Sequence, residues 1–371
     1  MEHLQGRPIN EKFSIVDSRL LGKGSTGNVY MGYHRRNPAH LVAVKVIDLQ
    51  SIDNRVTSYL LRCEIGALKS VGRVNRGSDS HVVQLLDLVM VENNVYLIME
   101  LLEGGTLREY VNKFPNGLPQ DEALSLFRQV LIGYQLIASK KIIHRDLKPE
   151  NILFKGPMEG EKKVTIIDFG YCLMEGIPNK PTVYYNVGSP KYMAPEAYKQ
   201  NAYSEKSDIW ALGVIFYEML AGKTCDQGMT MTTYLDMIER QGVPLPAQGN
   251  PFCKHILGWM LRHNPAQRAS IDEVLHEFSR YDRNLMHQKS EVIFLRNSLE
   301  EPPNRYSTPH KNEQVARSLI MNSEQTRRGV TLEVKPPITP TKQSQLAHQP
   351  LLFKASSQEG SGIRPAAMSN V

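Results

Sequence analysis

The run His144-Arg145-Asp146-Leu147-Lys148-Pro149-Glu150-Asn151, followed farther along by Asp168-Phe169-Gly170, decides how this chain is read. The first stretch gathers carboxylates, cations and an amide directly ahead of the apolar pair Ile152-Leu153. The second closes the strand-like run Val164-Thr165-Ile166-Ile167, and by itself it is an ordinary turn signal. Their meaning comes from what precedes them. Leu21-Gly22-Lys23-Gly24-Ser25-Thr26-Gly27-Asn28-Val29-Tyr30 is a G-x-G-x-x-G-x-V run. Glycines at such spacing let a backbone turn tightly and bring N–H groups against phosphate oxygens. A dinucleotide-binding fold needs a helix to open at the third glycine, but Val29-Tyr30-Met31-Gly32-Tyr33 is strand-like. A glycine-rich hairpin laid over a nucleotide fits better, and the sequence holds no G-x-x-x-x-G-K-[ST] phosphate loop.

Val42-Ala43-Val44-Lys45 is an apolar run ended by a lysine. Lysines at strand ends are ordinarily solvated, yet one strand after the glycine hairpin Lys45 is expected beneath it, within reach of phosphates. From Arg55 to Val71 the apolar residues Leu60, Leu61, Ile65 and Leu68 recur at helical spacing, with Glu64 among them. A buried, unpaired carboxylate is costly, so Glu64 is expected to pair with Lys45. The remaining pattern predicts a three-stranded antiparallel meander from Phe13 to Val46 and further strands from Val82 to Glu100 with Asn93-Asn94 as a hairpin turn. Helices are predicted from Gln120 to Ser139 and again from Lys206 to Ala221 and beyond. The architecture expected is a small sheet-rich lobe followed by a larger helical one.

With 371 residues, 41% hydrophobic, the chain is neither a disulfide miniprotein nor wholly disordered. Cys63, Cys172, Cys225 and Cys253 are far apart and make neither a C-x-x-C pair nor a metal-ligand spacing, so they read as reduced thiols. The longest apolar stretch, Ala211 to Ala221, is interrupted by Glu218 and falls short of the roughly 18–20 residues a membrane span needs. The start Met1-Glu2-His3 carries no signal peptide. A cytoplasmic protein without a membrane span, its intracellular range extending to the nucleus, is therefore expected. Of the formal charge of +6, about +5 lies from Arg283 onward, where 12 Lys+Arg face 7 Asp+Glu. The rest is near neutrality and has no electrostatic footprint for a duplex, so no nucleic-acid partner is expected. Residues 283–371 contain Glu301-Pro302-Pro303, Lys335-Pro336-Pro337 and a Ser/Gly-rich end. They are too poor in apolar surface to offset the entropy of ordering, so a largely disordered basic tail is expected.

Taken together and in order, the glycine run, Lys45, Glu64, the 144–151 stretch, Asp168-Phe169-Gly170 and Ala194-Pro195-Glu196 resemble the eukaryotic protein kinase family, serine/threonine type. The resemblance extends from about Phe13 to Tyr281. It implies an α+β, bilobal protein kinase fold, with a small antiparallel β-sheet lobe containing one key helix and a larger, mainly helical lobe. The domains expected are an N-terminal extension at 1–12, an N-lobe at 13–102, a C-lobe at 103–282 and the tail. It also implies ATP and Mg²⁺ as cofactors, and protein substrates with Ser/Thr acceptors. In-line phosphoryl transfer needs cations on the phosphates, hard oxygen ligands for magnesium and a carboxylate to orient the attacking hydroxyl. By resemblance Asp146 is the base, Asp168 and Asn151 hold the metal, Lys148 contacts the transferred group, and Lys45, held by Glu64, the α- and β-phosphates. Gly22, Gly24 and Gly27 cover the phosphates. Leu21, Val29, Ala43 and Leu153 sandwich the adenine, Met99 stands at the back of the pocket, and Glu100 and Leu102 are hinge contacts. Leu68, Leu85, His144 and Phe169 make an apolar column, Asp208 accepts N–H bonds from the catalytic loop, and Arg268 pairs with Glu196.

Lys148 together with Gly188-Ser189-Pro190-Lys191-Tyr192 resembles the serine/threonine pattern, in which the hydroxyl ahead of A-P-E bonds both the base and the lysine. The subgroup is similar to the unc-51-like and calcium/calmodulin-type kinases. The rival reading is a pseudokinase, a nucleotide-binding scaffold without transfer. Arg145 implies an upstream activating kinase acting on Thr182, Tyr184 or Tyr185 through charge-assisted bonds to the added phosphate. Thr106 stands where basophilic relatives keep a glutamate, which argues against strong arginine selectivity and leaves Glu150 as the acidic contact to watch. Insertions are expected at 72–81 and 156–163, and Val292-Ile293-Phe294-Leu295 is a candidate docking or autoinhibitory segment.

Overall fold

Alternation at period two builds the first part of the chain. In the computed structural model, β1 (Arg7–Pro8), β2 (Phe13–Lys23), β3 (Asn28–His34), β4 (Asn37–Asp48), β5 (Leu85–Val91) and β6 (Asn94–Glu100) form one antiparallel sheet. Its order is β1-β2-β3-β4-β6-β5. The structure describes residues 5–24, 26–52, 55–74, 81–157, 160–179 and 187–300, with 73–74 and 286–300 as backbone alone. All belong to the unit Met1–Thr331; the second unit, Leu332–Val371, lies outside them.

Val42 and Val44 of β4 are fully buried with Ile15, Tyr96 and Ile98 on one face of the sheet. Ile47 joins Val95 and Leu97 in the larger core on the other. Lys45 is the cross-strand partner of Leu97, so the strand period sets it on this second face. That face is covered by α1 (Arg55–Val74), which buries Leu61, Leu68 and Val71 in the same core. A register slip of one residue would carry Lys45 away from α1 altogether. The glycine hairpin is equally constrained, because a Cβ on Gly27 would stand 2.1 Å from the Val46 carbonyl oxygen.

Two details depart from expectation. Residues of the N-terminal extension add the edge strand β1 to the sheet. The second hairpin turns at Glu92-Asn93, since Asn94 already pairs with Val91 and Glu92 takes the left-handed conformation, φ 52°.

The second part is helical: α2 (Leu107–Val111), α3 (Gln120–Ser139), α4 (Pro195–Gln200), α5 (Glu205–Ala221), α6 (Met231–Gln241), α7 (Pro251–Met260) and α8 (Ile271–Glu300). α5 is buried continuously from Ser207 to Ala221, which makes it the axis of the lobe, as a helix apolar on all sides must be. Phe127 of α3 stacks on Phe216 of α5 at 4.3 Å. The α+β, two-lobed expectation holds. α8 continues to Glu300, past the expected boundary at 282, and carries the backbone of Val292 to Leu295 as helix. Their side chains lie outside the described residues, as do 301–371 with Thr308-Pro309 and Thr339-Pro340. No helix among the described residues is long and apolar enough to cross a membrane.

Candidate active site

Short strand pairs deliver the charged loops. β7 (Ile142–Ile143) pairs with β10 (Leu173–Met174), and β8 (Ile152–Phe154) with β9 (Val164–Ile166). These two ribbons tie the segment before His144 to the one after Gly170, and the segment after Asn151 to the one before Asp168. The Ile167 N–H donates to the Asn151 carbonyl at 2.9 Å, so Asp168 and Asn151 become neighbours across one backbone bond. Val83 and Ile166 exchange a further link, N–H to carbonyl at 3.0 Å, which joins the residues ahead of β5 to β9.

The loop from 144 is held from below by Asp208, in the first turn of α5. Its carboxylate accepts the N–H groups of His144 at 2.7 Å and Arg145 at 2.9 Å, and the Tyr134 hydroxyl at 3.2 Å. Burial pushes the Asp208 carboxyl up, and His144 and these donors only partly offset it. The loop is strained where it matters: Arg145 and Asp168 sit at φ 68° and 62°, a conformation costing roughly 1–3 kcal/mol for a non-glycine residue.

Asp146 is the meeting point. Its Oδ1 accepts the Ser189 hydroxyl at 2.9 Å, and its Oδ2 accepts Lys148 Nζ at 2.7 Å and the Asn151 amide at 3.1 Å. Lys148 also donates to Ser189 Oγ at 3.0 Å, and the Asn151 amide to the Asp146 carbonyl at 2.8 Å. Ser189 can come this close only because Gly188, at φ 109°, precedes it; a Cβ there would lie 2.5 Å from the Arg145 carbonyl oxygen.

Lys45 and Glu64, both almost fully buried, form an ion pair at 2.5 Å, and Lys45 lies 3.7 Å from Asp168. Burial disfavours the ammonium, but the Glu64 and Asp168 carboxylates outweigh it and hold Lys45 above its ordinary pKa. The second oxygen of Glu64 accepts the Thr26 hydroxyl of the glycine hairpin at 2.9 Å, a contact the sequence did not suggest. Leu68 and Phe169 are buried in the main core with Leu85 packed against it, and the Phe169 ring lies 5.2 Å from His144.

The adenine candidates are apolar, yet none is fully buried. Leu21 is exposed, while Val29, Ala43, Met99, Leu102 and Leu153 are half-buried. Ala43 and Met99 are cross-strand partners, and Leu153 bridges to Thr106 just after the linker. The Glu100 N–H is already committed to the Gln84 carbonyl at 3.1 Å. A Cβ on Gly22 would meet nothing within 4 Å, and one on Gly24 would approach Lys45 Nζ at 3.5 Å. A glycine cover with open space, an ammonium beneath it and the hard oxygens of Asp168 and Asn151 nearby fit a magnesium-bound triphosphate.

Sequence reasoning missed one cluster. Arg108 of α2 bonds Glu150, Glu218 and the Tyr192 hydroxyl. The available signal was Glu218 itself, a carboxylate inside the apolar run of α5, which burial obliges to find a partner. Arg145 donates from Nε to the Tyr171 carbonyl at 2.6 Å and stacks over the Tyr203 ring at 5.0 Å. Thr182, Tyr184 and Tyr185 lie outside the described residues.

Residues 15–278 match the model of the protein kinase domain. Among curated relatives, the chain is 34% identical over 272 residues to the serine/threonine-protein kinase MST20 of Pyricularia oryzae, covering 72% of this chain and 28% of that protein. It is 32% identical over 273 residues to human serine/threonine-protein kinase ULK1, covering 71% and 25%. To the human SNF-related serine/threonine-protein kinase it is 32% identical over 257 residues, covering 69% and 32%. The chain thus spans about a quarter to a third of the length of these relatives, and the similarity is even among them. The matched span takes in both lobes and every loop that meets at Asp146 and Lys45, and the chain belongs to the protein kinase family.

Proposed function

We propose that the chain is a protein serine/threonine kinase that transfers the γ-phosphoryl group of ATP to serine or threonine hydroxyls of protein substrates. The observation that carries this reading is the Asp146 carboxylate shared between Lys148 and the Ser189 hydroxyl. It presents an acceptor oxygen to an incoming alcohol with a cation alongside. In this reading Asp146 orients the hydroxyl and receives its proton, and Lys148 stabilises charge on the group in transit. Lys45, fixed by Glu64, would hold the α- and β-phosphates, and Gly22, Gly24 and Gly27 would cover them. Leu21, Val29, Ala43, Met99 and Leu153 would wall the adenine, with Glu100 and Leu102 at its edge. Asp168 and Asn151 would hold Mg²⁺, which when bound neutralises phosphate charge. Arg145 beside the base supports activation by an upstream kinase, and four free, buried cysteines support a reducing, cytoplasmic setting.

The test is Asp146→Asn, assayed with radiolabelled ATP and a serine peptide library. Phosphate incorporation should fall by about 10²–10⁴-fold, while nucleotide binding, followed by fluorescence titration, persists. Equal incorporation by both proteins would exclude Asp146 as the base. Nucleotide binding without transfer by the wild type would leave the pseudokinase reading standing.

A further inference from the structure

The acceptor side of the site holds an acidic cluster whose cation comes from the chain itself. Arg108 is the second residue of α2, just beyond the linker between the lobes. Its Nε donates to Glu150 Oε1 at 2.8 Å, Nη1 to Glu218 Oε1 at 2.5 Å, and Nη2 to Glu218 Oε2 at 3.2 Å and to the Tyr192 hydroxyl. Tyr192 in turn donates to Glu218 Oε2 at 2.7 Å. The guanidinium therefore forks onto Glu218 and spends its remaining edge on Glu150. Burial works against the Arg108 charge, but bonds to Glu218 and Glu150 outweigh it, and the group stays above its ordinary pKa.

The cluster adjoins the reacting groups through the backbone. Glu150 follows Lys148 by two positions and precedes Asn151. Tyr192 follows by three positions Ser189, the hydroxyl bonded to Asp146. The Glu150 side chain is 44% exposed, that of Glu218 only 7%. Two carboxylates, one reaching solvent and one desolvated, beside a site that in the phosphotransfer reading takes a peptide acceptor, have the chemistry of a receptor for a cationic side chain. One cation against two carboxylates leaves the cluster net negative, yet its best-desolvated oxygens are taken.

We propose that Arg108 is a specificity-determining residue, an internal cation that fills an acidic peptide subsite built from Glu150, Glu218 and Tyr192. Acceptor peptides are then not selected for a basic residue facing this cluster. The inference rests on the phosphotransfer reading and adds the class of substrate. Thr106, which lacks a carboxylate on the same stretch, acts in the same direction. Removing the guanidinium opens the subsite, and an arginine or lysine of the substrate takes its place.

The experiment compares wild type and Arg108→Met on serine peptides that differ only in carrying Ala, Arg or Glu at each flanking position, reading kcat/KM for each. Wild type should treat the Arg and Ala peptides alike, within about threefold. The variant should favour Arg at one position by roughly 10-fold or more, the scale of a charge-assisted bond. Adding Glu150→Gln should erase most of that gain. A purely structural role for Arg108 lowers all peptides together, so an unchanged Arg-to-Ala ratio overturns the inference. So does a wild type that already selects Arg at that position. If Arg108→Met does not fold, Arg108→Met/Glu218→Gln relieves the stranded buried carboxylate and leaves Glu150 open; it should still favour Arg, and indifference there is equally fatal. Absence of transfer by wild type to every peptide would instead overturn the kinase reading, and the inference with it.

Discussion

Lys45 is a cation almost without solvent, held by Glu64 at 2.5 Å with Asp168 at 3.7 Å. Removing it has two separable effects. Lys45→Met should abolish phosphotransfer and also strand the Glu64 carboxylate, whose other hydrogen-bond partner among the described residues is the Thr26 hydroxyl. Breaking a buried pair in this way costs about 3–5 kcal/mol, whereas replacing both members by apolar groups is often neutral. Lys45→Met/Glu64→Met should therefore recover most of the denaturant midpoint lost by the single variant while recovering no phosphate incorporation. A double variant as unstable as the single one would show that the loss does not come from the stranded Glu64 carboxylate. The pair itself was legible, because the strand period set the face of Lys45 and the helical stripe set that of Glu64. The Thr26 contact was not, since nothing local in a glycine hairpin says how far it folds toward a helix 38 positions away.

Between elements, one tie is a buried guanidinium. Arg268 has a fully buried side chain that forks onto Glu196 at 2.7 and 3.0 Å. It also donates to the carbonyls of Lys206 at 2.6 Å, Arg262 at 3.0 Å and His263 at 3.3 Å, and lies over the Trp210 ring at 5.0 Å. It thereby fixes α4, and with it the segment from Ser189, to the start of α5 and the loop before α8. Arg268→Ala should destabilise by at least about 3–5 kcal/mol, by urea unfolding, because it leaves a carboxylate and several carbonyls unanswered. Arg268→Lys should restore only part, since an ammonium cannot fork. A loss under about 1 kcal/mol for the alanine variant would mean that water replaces the network. At this scale the periodic elements were readable: the helices Gln120–Ser139 and Glu205–Ala221 match their apolar stretches within a residue. Ends were less so. Asn93-Asn94 looked like the turn, yet cross-strand pairing drew Asn94 into β6. The polar composition after 282 hid the continuation of α8, because a helix already begun needs only propagation, not nucleation. For the Arg108 cluster, Glu218 signalled that a partner was needed, but not which one, since its bond to Arg108 joins residues 110 positions apart.

Across the whole molecule, the four thiols report on the integrity of the core. Cys63 lies on α1, Cys172 after Gly170, Cys225 after α5 and Cys253 on α7, and all are buried and free. Burial pushes Cys225 and Cys253 up to about 12 and raises Cys63 and Cys172 as well. Native thiols are thus shielded twice, by access and by being held protonated. Iodoacetamide at pH 8 should leave the folded chain unmodified and label four sites in urea. The same shifts fix the sign of the alkaline response. A thiol whose folded pKa is raised keeps its proton after the unfolded chain has lost it. Its contribution is fully present below about 9, the ordinary value, and is lost as pH rises from there toward 12. Stability should therefore decline through this window, and Cys253→Ala, whatever its packing cost at pH 8, should make the decline shallower. The urea midpoint measured from pH 8 to the alkaline limit tests this. Parallel curves for the variant and the wild type would mean that Cys253 ionises in the folded state as readily as in the open chain, and that α7 does not exclude water from it.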